Sequence, residues 1–449
     1  MLRFLCSTAL LILALPAHAL DPFATEADLA PPFVVCRPAP SLLGLVDAVD
    51  AALCANPQTR AVWANARAQA AQVGVAKSAY LPSLNVSVGE ARVRSLGMTS
   101  SQRSAQATLA WLVYDFGARS ATLENARQLL AAAVDTMDAT VQSLFLSTVQ
   151  TWYQVQAADA SLAATRESER VAETSYKAAA ARYQAGTGTP ADTLQARTAL
   201  SQATLARITA EGSLKIAQGS LNLLLGRDAP QPLHLAADTQ AAPPPHFEQD
   251  VDALIAEARR RRPDLRSAQA QTAAAQASVD AARAAHLPSL SFGVSGSDVH
   301  NASLGESRGG SLGLTLNIPL FTGFATTYRV RAAQAQAESR AASEDQLRLQ
   351  VAQDVWNAYQ SLLTATQTTR SSADLLASAE AADKVARGRY QAGVGSMLDL
   401  LNAQNALASA RQQQVQSLYS WNVARAALAQ SMGTLDRDLV LSLQEDRTP

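Results

Sequence analysis

The sequence predicts a mixed fold in which long α-helices and four membrane-spanning β-strands come from one tandemly duplicated chain. Three observations predict it. The chain repeats its landmarks at an offset of about 206 residues. Two proline-free, helix-forming stretches run over 117–183 and 324–390. Each copy also carries a pair of segments with period-2 alternation, long enough to cross a bilayer at a tilt.

The duplication is read directly from the residues. Tyr80-Leu81-Pro82-Ser83-Leu84 recurs as His286-Leu287-Pro288-Ser289-Leu290, and Arg182-Tyr183-Gln184-Ala185-Gly186 as Arg389-Tyr390-Gln391-Ala392-Gly393. Asn56-Pro57 answers Arg262-Pro263 in the same order. This period far exceeds the 20–50 residues of solenoid repeats, so the repeated unit is a whole supersecondary assembly. The predicted organisation is a signal peptide (1–19), an N-terminal arm (20–41), a first repeat (42–240, hairpin 83–114), a linker (241–250), a second repeat (251–440, hairpin 289–319) and a C-terminal tail (441–449).

Arg3, the apolar run Leu5–Leu15 and Ala17-His18-Ala19 form the three regions of a secretory signal, with cleavage expected after Ala19. No other stretch reads as long and apolar enough for a transmembrane helix, so a membrane span in the exported chain is expected to be β. Cys6 leaves with the signal, and Cys36 and Cys54 remain as an even pair in an oxidising compartment. A disulfide between them is the expected reading; by the chain-entropy account it contributes about 3 kcal/mol. The formal net charge of −1 points to neither nucleic acid nor an anionic surface as partner.

In chain order, Asp21–Pro40 reads as an irregular arm and Leu42–Leu53 as a helix with apolar residues at helical spacing. A second helix from Pro57 stops near Tyr80, because Pro82 lacks a donor and disfavours helix at Leu81. The period then changes to two. Leu84, Val86 and Val88 alternate with Asn85, Ser87 and Gly89; after a polar turn over Ser95–Arg103, Ala105, Ala107, Leu109, Trp111 and Val113 alternate with Gln106, Thr108 and Ala110. The second copy repeats this with Leu290, Phe292 and Val294, a loop over Asp298–Gly309, and then Leu312, Leu314, Leu316 and Ile318. Each strand is expected to run about 9–11 residues, apolar outward and small or polar inward.

The proline-free stretches that follow would each reach about 100 Å as continuous helices. No globular core covers such a rod, so it must lie in a bundle or coiled-coil array. Shorter helices return over Asp192–Leu225 and Leu398–Gln430, and Pro243-Pro244-Pro245 marks the linker. Two half-buried ribbons in a soluble protein would also explain the hairpins, but the long helices count against that. Four strands cannot close a barrel, and open edges cannot face lipid. A homotrimer supplies twelve antiparallel strands, closes the ring by cyclic symmetry and closes the helices into an α-helical barrel.

The duplicated Leu-Pro-Ser-Leu pairs, Tyr114-Asp115-Phe116-Gly117, Phe321-Thr322-Gly323 and the two Arg-Tyr-Gln-Ala-Gly-x-Gly turns resemble the TolC family of outer-membrane efflux and secretion channels. The resemblance covers nearly all of the mature chain. It implies a homotrimer set in outer-membrane lipid with a large periplasmic portion. The implied partners are a periplasmic adaptor and an inner-membrane ABC transporter or proton-driven pump.

Gly186 and Gly393 supply the left-handed residue past a helix end, with Gly188 and Gly395 completing the two tip turns. Thr189 with Asp192, and Ser396 with Asp399, then form capping boxes with Asp in place of Glu. The two aspartates are therefore capping acids, constriction acids or both. The family resemblance implies the constriction role. By it, Asp399 takes the position of one ring aspartate, Asn402 that of the second, Tyr390 that of a gate tyrosine, Asp192 that of an acid from the first copy, and Gly395 stands where a gate arginine would. Part of the family's gate is thus kept and part is missing.

The run Arg259–Arg262 reads as a helix end on a solvated face, with adaptor or headgroup contact as the alternative. Trp111 and Tyr114 read either as interfacial anchors or as packing at the strand–helix junction. An enzyme is not expected, since the sequence has no nucleophile motif, metal-ligand spacing or phosphate loop, and no cofactor is implied. A trimeric adhesin would draw its barrel from one terminal segment, not from hairpins inside both repeats. The expected function is passage of a protein substrate by type I secretion, with small-molecule efflux as the alternative.

Overall fold

The computed structural model describes residues 21–27, 29, 36, 40, 42–95, 98–236, 250–302 and 305–435. The predicted signal segment with Ala19, most of the arm, the linker before Asp250 and the C-terminal tail lie outside the described residues. The element order is α1 (Leu45–Ala55), α2 (Pro57–Ser78), β1 (Ser83–Ser95), β2 (Met98–Tyr114), α3 (Ala118–Gln184) and α4 (Pro190–Leu224), then α5 (Val251–Arg261), α6 (Pro263–Ala284), β3 (Ser289–Asn301), β4 (Gly305–Asn317), α7 (Ala325–Gln391) and α8 (Met397–Ser431). The two halves match element for element. Both α3 and α7 are 67 residues long, and both α4 and α8 are 35. The chain divides into two compact units, one built on 64–134 and 267–343, the other on 31–63, 135–266 and 344–449.

The first unit holds a single four-stranded antiparallel sheet in the order β1-β2-β3-β4. Its register places Leu84 opposite Leu109, Leu109 opposite Val294, and Val294 opposite Leu312. Because side chains alternate between faces, Leu84–Val88, Ala105–Trp111, Leu290–Val294 and Leu312–Leu316 place their apolar alternating residues on one face, up to a register shift at Leu112–Tyr114 that sets Tyr114, not Val113, opposite Leu290. That face is bare: Leu84, Val86, Leu312 and Leu314 are 66–73% exposed. The opposite face carries Asn85, Thr108, Ser295 and Ser311, small polar residues of the kind that line water. The outer edges of β1 and β4 pair with nothing among the described residues.

The strands are 13 to 17 residues long, not the predicted 9–11, and the pairing runs through both expected loops. Glu90 pairs with Arg103 and Asp298 with Arg308, each as an ion pair as well as a ladder partner. The apolar alternation stops where the ladder does not, because polar residues pair equally well in water. The strand-to-helix junction is fixed by Arg119. It pairs with Asp115 at 3.0 Å, donates to the carbonyls of Leu112 and Val113, and stacks 4.7 Å from the Tyr80 ring. Trp111 Nε1 donates to the Tyr80 carbonyl at 3.0 Å, and Tyr114 packs edge-on against Phe116. Both readings of Trp111 therefore have a basis: it is tied to the junction and remains 41% exposed.

The second unit is mainly helical and buries a set of apolar cores, while Leu205, Ile216 and Leu349 among others remain exposed. Leu45, Val49 and Ala52 of α1, Phe145, Val149, Trp152 and Tyr153 of α3, Ala217 and Leu221 of α4, and Tyr419 of α8 form its main core. The second copy builds equivalent cores from α5, α6, α7 and α8 around Leu265, Val355, Tyr359 and Leu428. The repeat offset holds inside these cores: Val149 matches Val355, Tyr153 matches Tyr359 and Leu221 matches Leu428, all buried. Cys36 and Cys54 are disulfide-bonded, with Cα atoms 5.6 Å apart.

Two expectations need correction. One 18-residue window of α3 reaches a mean hydropathy of 1.3, so a second segment is apolar and long enough to cross a membrane by composition. Only 22% of that window is buried within the chain. The four-arginine run is also not uniformly solvated. Arg259–Arg261 occupy the last turn of α5, where cations suit the helix dipole, but Arg262 is 8% exposed. It makes two bonds to Asp264 (3.0 and 2.6 Å) and one to Asp354 (2.8 Å). Its side chain is desolvated, and these two carboxylates satisfy it and keep it charged.

Candidate functional site: the paired turns of the helical unit

The two Arg-Tyr-Gln-Ala-Gly turns end α3 and α7, and both lie in the second unit. Gly186 and Gly393 adopt φ of 75° and 79°, the left-handed region that only glycine enters without cost. Around them Gly186 N donates to the Tyr183 carbonyl and Thr187 N to the Arg182 carbonyl, and Gly393 and Val394 repeat this with Tyr390 and Arg389. This is the paired-bond helix ending that satisfies the last carbonyls. Gly188 and Gly395 are required for a different reason. A Cβ on either would sit 3.0 Å from the backbone nitrogen of Tyr183 or Tyr390.

The next helices begin as capping boxes. Asp192 N donates to Thr189 Oγ1 at 3.2 Å and Asp399 N to Ser396 Oγ at 3.1 Å. In return, Thr189 N and Ser396 N each donate to an oxygen of the aspartate at 3.4 Å. Asp192 also accepts the Thr189 hydroxyl at 2.8 Å and is partly shielded, whereas Asp399 is exposed. The Ser396 hydroxyl and backbone N–H, with Arg389 nearby, hold the Asp399 carboxyl below its ordinary range. Asp399 is therefore an ionised, water-facing carboxylate as well as a cap. Asn402, one turn further along α8, is exposed.

The structure joins the two turns through a pair that the sequence reading did not single out. The Arg182 guanidinium lies 4.4 Å from the centre of the Tyr390 ring and donates to the carbonyls of Tyr390 (3.0 Å) and Gln391 (3.2 Å). Tyr390 is buried among Ala179, Ala196, Met397, Leu400 and Leu401. The available signal was the duplicated Arg-Tyr dipeptide, which places one aromatic and one cation at each helix end. Tyr390 and Asp399 are thus near one another, but Tyr390 is a packed, clasped side chain and not an exposed one. No group of metal-ligating side chains occurs among the described residues.

A sheet with one bare apolar face and unpaired edges, set in a duplicated chain with long paired helices, defines a class of outer-membrane channel subunit. The family described as Outer membrane efflux protein matches residues 48–227 and 254–434, two stretches whose starts lie 206 residues apart and whose ends lie 207 apart. The chain belongs to this family, whose TolC-like channels reside in the outer membrane. It is similar to Protein CyaE of Bordetella pertussis, 36% identical over 406 residues that cover 89% of this chain and 85% of that protein. It is also similar to Outer membrane efflux protein BepC of Brucella suis, 28% identical with 84% and 82% covered. Among solved structures, the CmeC outer membrane channel of Campylobacter jejuni superposes with a TM-score of 0.78, at 18% identity and 90% coverage of each chain. The open state of the Neisseria gonorrhoeae MtrE outer membrane channel gives 0.74 at 22% identity, with 88% and 90% covered. These structures share the fold, and a trimeric barrel and a tandem duplication fit the family.

Proposed function

We propose that this chain forms, as a homotrimer, the outer-membrane channel-tunnel of a tripartite export system that passes a protein substrate by type I secretion. Each chain supplies four strands whose apolar face meets lipid, and three chains close their open edges into twelve strands. A periplasmic adaptor and an inner-membrane ABC transporter are the partners this role requires. The repeats, 42–240 and 251–440, are read as its two pseudo-equivalent halves. The observation that carries the choice of cargo is the 36% identity to CyaE across 89% of the chain, because CyaE is a type I secretion outer-membrane component. The paired turns are read as the constriction, with Asp192, Tyr390, Asp399 and Asn402 contributing and Asp399 supplying the main charge. Three ionised Asp399 carboxylates near an axis attract cations and resist small anions.

Small-molecule efflux is the second reading, favoured by the likeness to BepC, itself an outer membrane efflux protein. Deleting the chain in its own host separates the two. Type I secretion predicts loss of a large exoprotein from the medium with drug tolerance unchanged. A several-fold fall in tolerance to toxic small molecules, with the exoprotein still released, contradicts it and supports efflux.

A further inference from the structure

The two copies differ sharply at the turns. In the first copy, Ala179, Arg182 and Ala196 form a seat that Tyr390 of the second copy fills, with its ring on Arg182. The repeat offset of 207 carries those residues onto Ala386, Arg389 and Ala403. These three line an open cavity of about 470 Å³, together with Val385, Gly395 and Asp399. The second copy thus has the same seat without an occupant among the described residues. The residue equivalent to Tyr390 is Tyr183 of the first copy, and it is 49% exposed. Leu194, equivalent to the buried Leu401, is likewise exposed at 63%. One aromatic, one aliphatic side chain and one seat are therefore left over per chain, and they match a contact the chain already makes internally.

We propose that Tyr183 and Leu194 of one chain fill the Ala386–Arg389–Ala403 seat of a second copy of this chain, with the Tyr183 ring stacked on Arg389. The inference rests on the homotrimer reading and adds a specific interlock to it. The intrachain contact joins copy one to copy two, and the interchain contact joins copy two to copy one of the next chain. A closed ring then contains six equivalent arginine–tyrosine clasps, alternately within and between chains. Each clasp combines ring burial with a cation over the aromatic face, and Arg389 is held beside Asp399 by the same seat. The interlock therefore couples the position of the constriction carboxylate to the neighbouring chain.

Paired cysteine substitutions in the full-length protein test this. Tyr390 and Ala196 touch within one chain, so Tyr390→Cys with Ala196→Cys, treated with a short bismaleimide, should crosslink without any increase in denatured mass. Tyr183→Cys with Ala403→Cys should instead give covalent dimers and trimers on a denaturing gel, and neither single substitution should do so. The native mass of each variant is measured in parallel. If the native complex is trimeric and the intrachain control crosslinks, but the Tyr183–Ala403 pair yields only monomer, the interlock is overturned while the trimer stands. If the native complex is not trimeric, the homotrimer reading fails. If whole-cell crosslinking joins the Tyr183→Cys variant to a different protein and never to itself, the seat belongs to a partner such as an adaptor and the proposal is overturned. As a second readout, Tyr183→Phe should leave resting conductance unchanged and Tyr183→Ala should raise it; equal conductance for the two would contradict a role in holding the constriction.

Discussion

The sheet and the helical core are built from the same two repeats, yet they treat apolar side chains in opposite ways. In the helical unit Val149, Trp152, Leu221 and Val355 are almost completely covered by neighbouring helices. In the sheet, Leu84, Val88, Leu312 and Leu314 are left exposed among the described residues, although the register aligns them on one face. The hydrophobic effect that drives the first arrangement would drive aggregation of the second in water. The difference shows that the two regions are designed for different solvents. The helices supply their own apolar surroundings, whereas the strands take theirs from a bilayer.

The largest loss of stability is expected in the helical core. Trp152→Ala removes a side chain that is 2% exposed, and it should destabilise by about 3–5 kcal/mol, read as a fall in Tm of the detergent-solubilised protein. Breaking the bond between Cys36 and Cys54 by Cys54→Ser should cost about 3 kcal/mol, measured the same way. The sheet responds differently on its two faces. Leu314→Arg sets a charge on the lipid face and should cost about 2–4 kcal/mol near the bilayer midplane, read from unfolding in vesicles. Thr315→Arg, its neighbour on the opposite face, should leave stability nearly unchanged and alter ion selectivity. Equal costs for the two would contradict the assignment of faces.

The smallest effect on stability is expected at the turns. Asp399→Ala should weaken the capping box slightly and reduce cation selectivity and block by multivalent cations in single-channel recordings. Asp399→Ser removes the charge while keeping a small polar side chain. Loss of selectivity in both variants assigns the ring to Asp399, whereas loss only in Asp192→Ala assigns it to the first repeat. Hydrogen bonds from Ser396 lower the folded-state pKa of Asp399, so its charge and the stability tied to it are present above the unfolded-state pKa. Both are lost as pH falls through the lower folded value. The lowered pKa favours keeping the charge on mild acidification, whereas repulsion among three Asp399 in the ring opposes it, so selectivity should fall at a higher pH in the trimer than one chain alone implies.

Long helices and apolar alternation were legible in the sequence because both leave a periodic signal over many residues. The ends of α3 and α7 fall within one residue of the expected limits, since Gly186 and Gly393 punctuate them. The strand ends were not legible. Residues such as Ser100, Gln102, Ser307 and Gly309 carry no hydrophobic period, and only the ladder itself reveals that they pair. Burial of Arg262 was hidden for a similar reason. Nothing in a run of four arginines distinguishes the one that meets Asp354, 92 residues away. At the turns, the capping boxes could be read from local spacing, but the Arg182–Tyr390 clasp depends on two helix ends meeting across 208 residues.

A membrane-spanning sheet requires that its edges be closed by further copies of the chain. The most direct measurement is the native mass of the full-length protein extracted from outer membranes in mild detergent. Three chains per complex, with a single-channel conductance when the complex is reconstituted in a planar bilayer, is the predicted result. A stable monomer or dimer that retains the four-stranded sheet would contradict it.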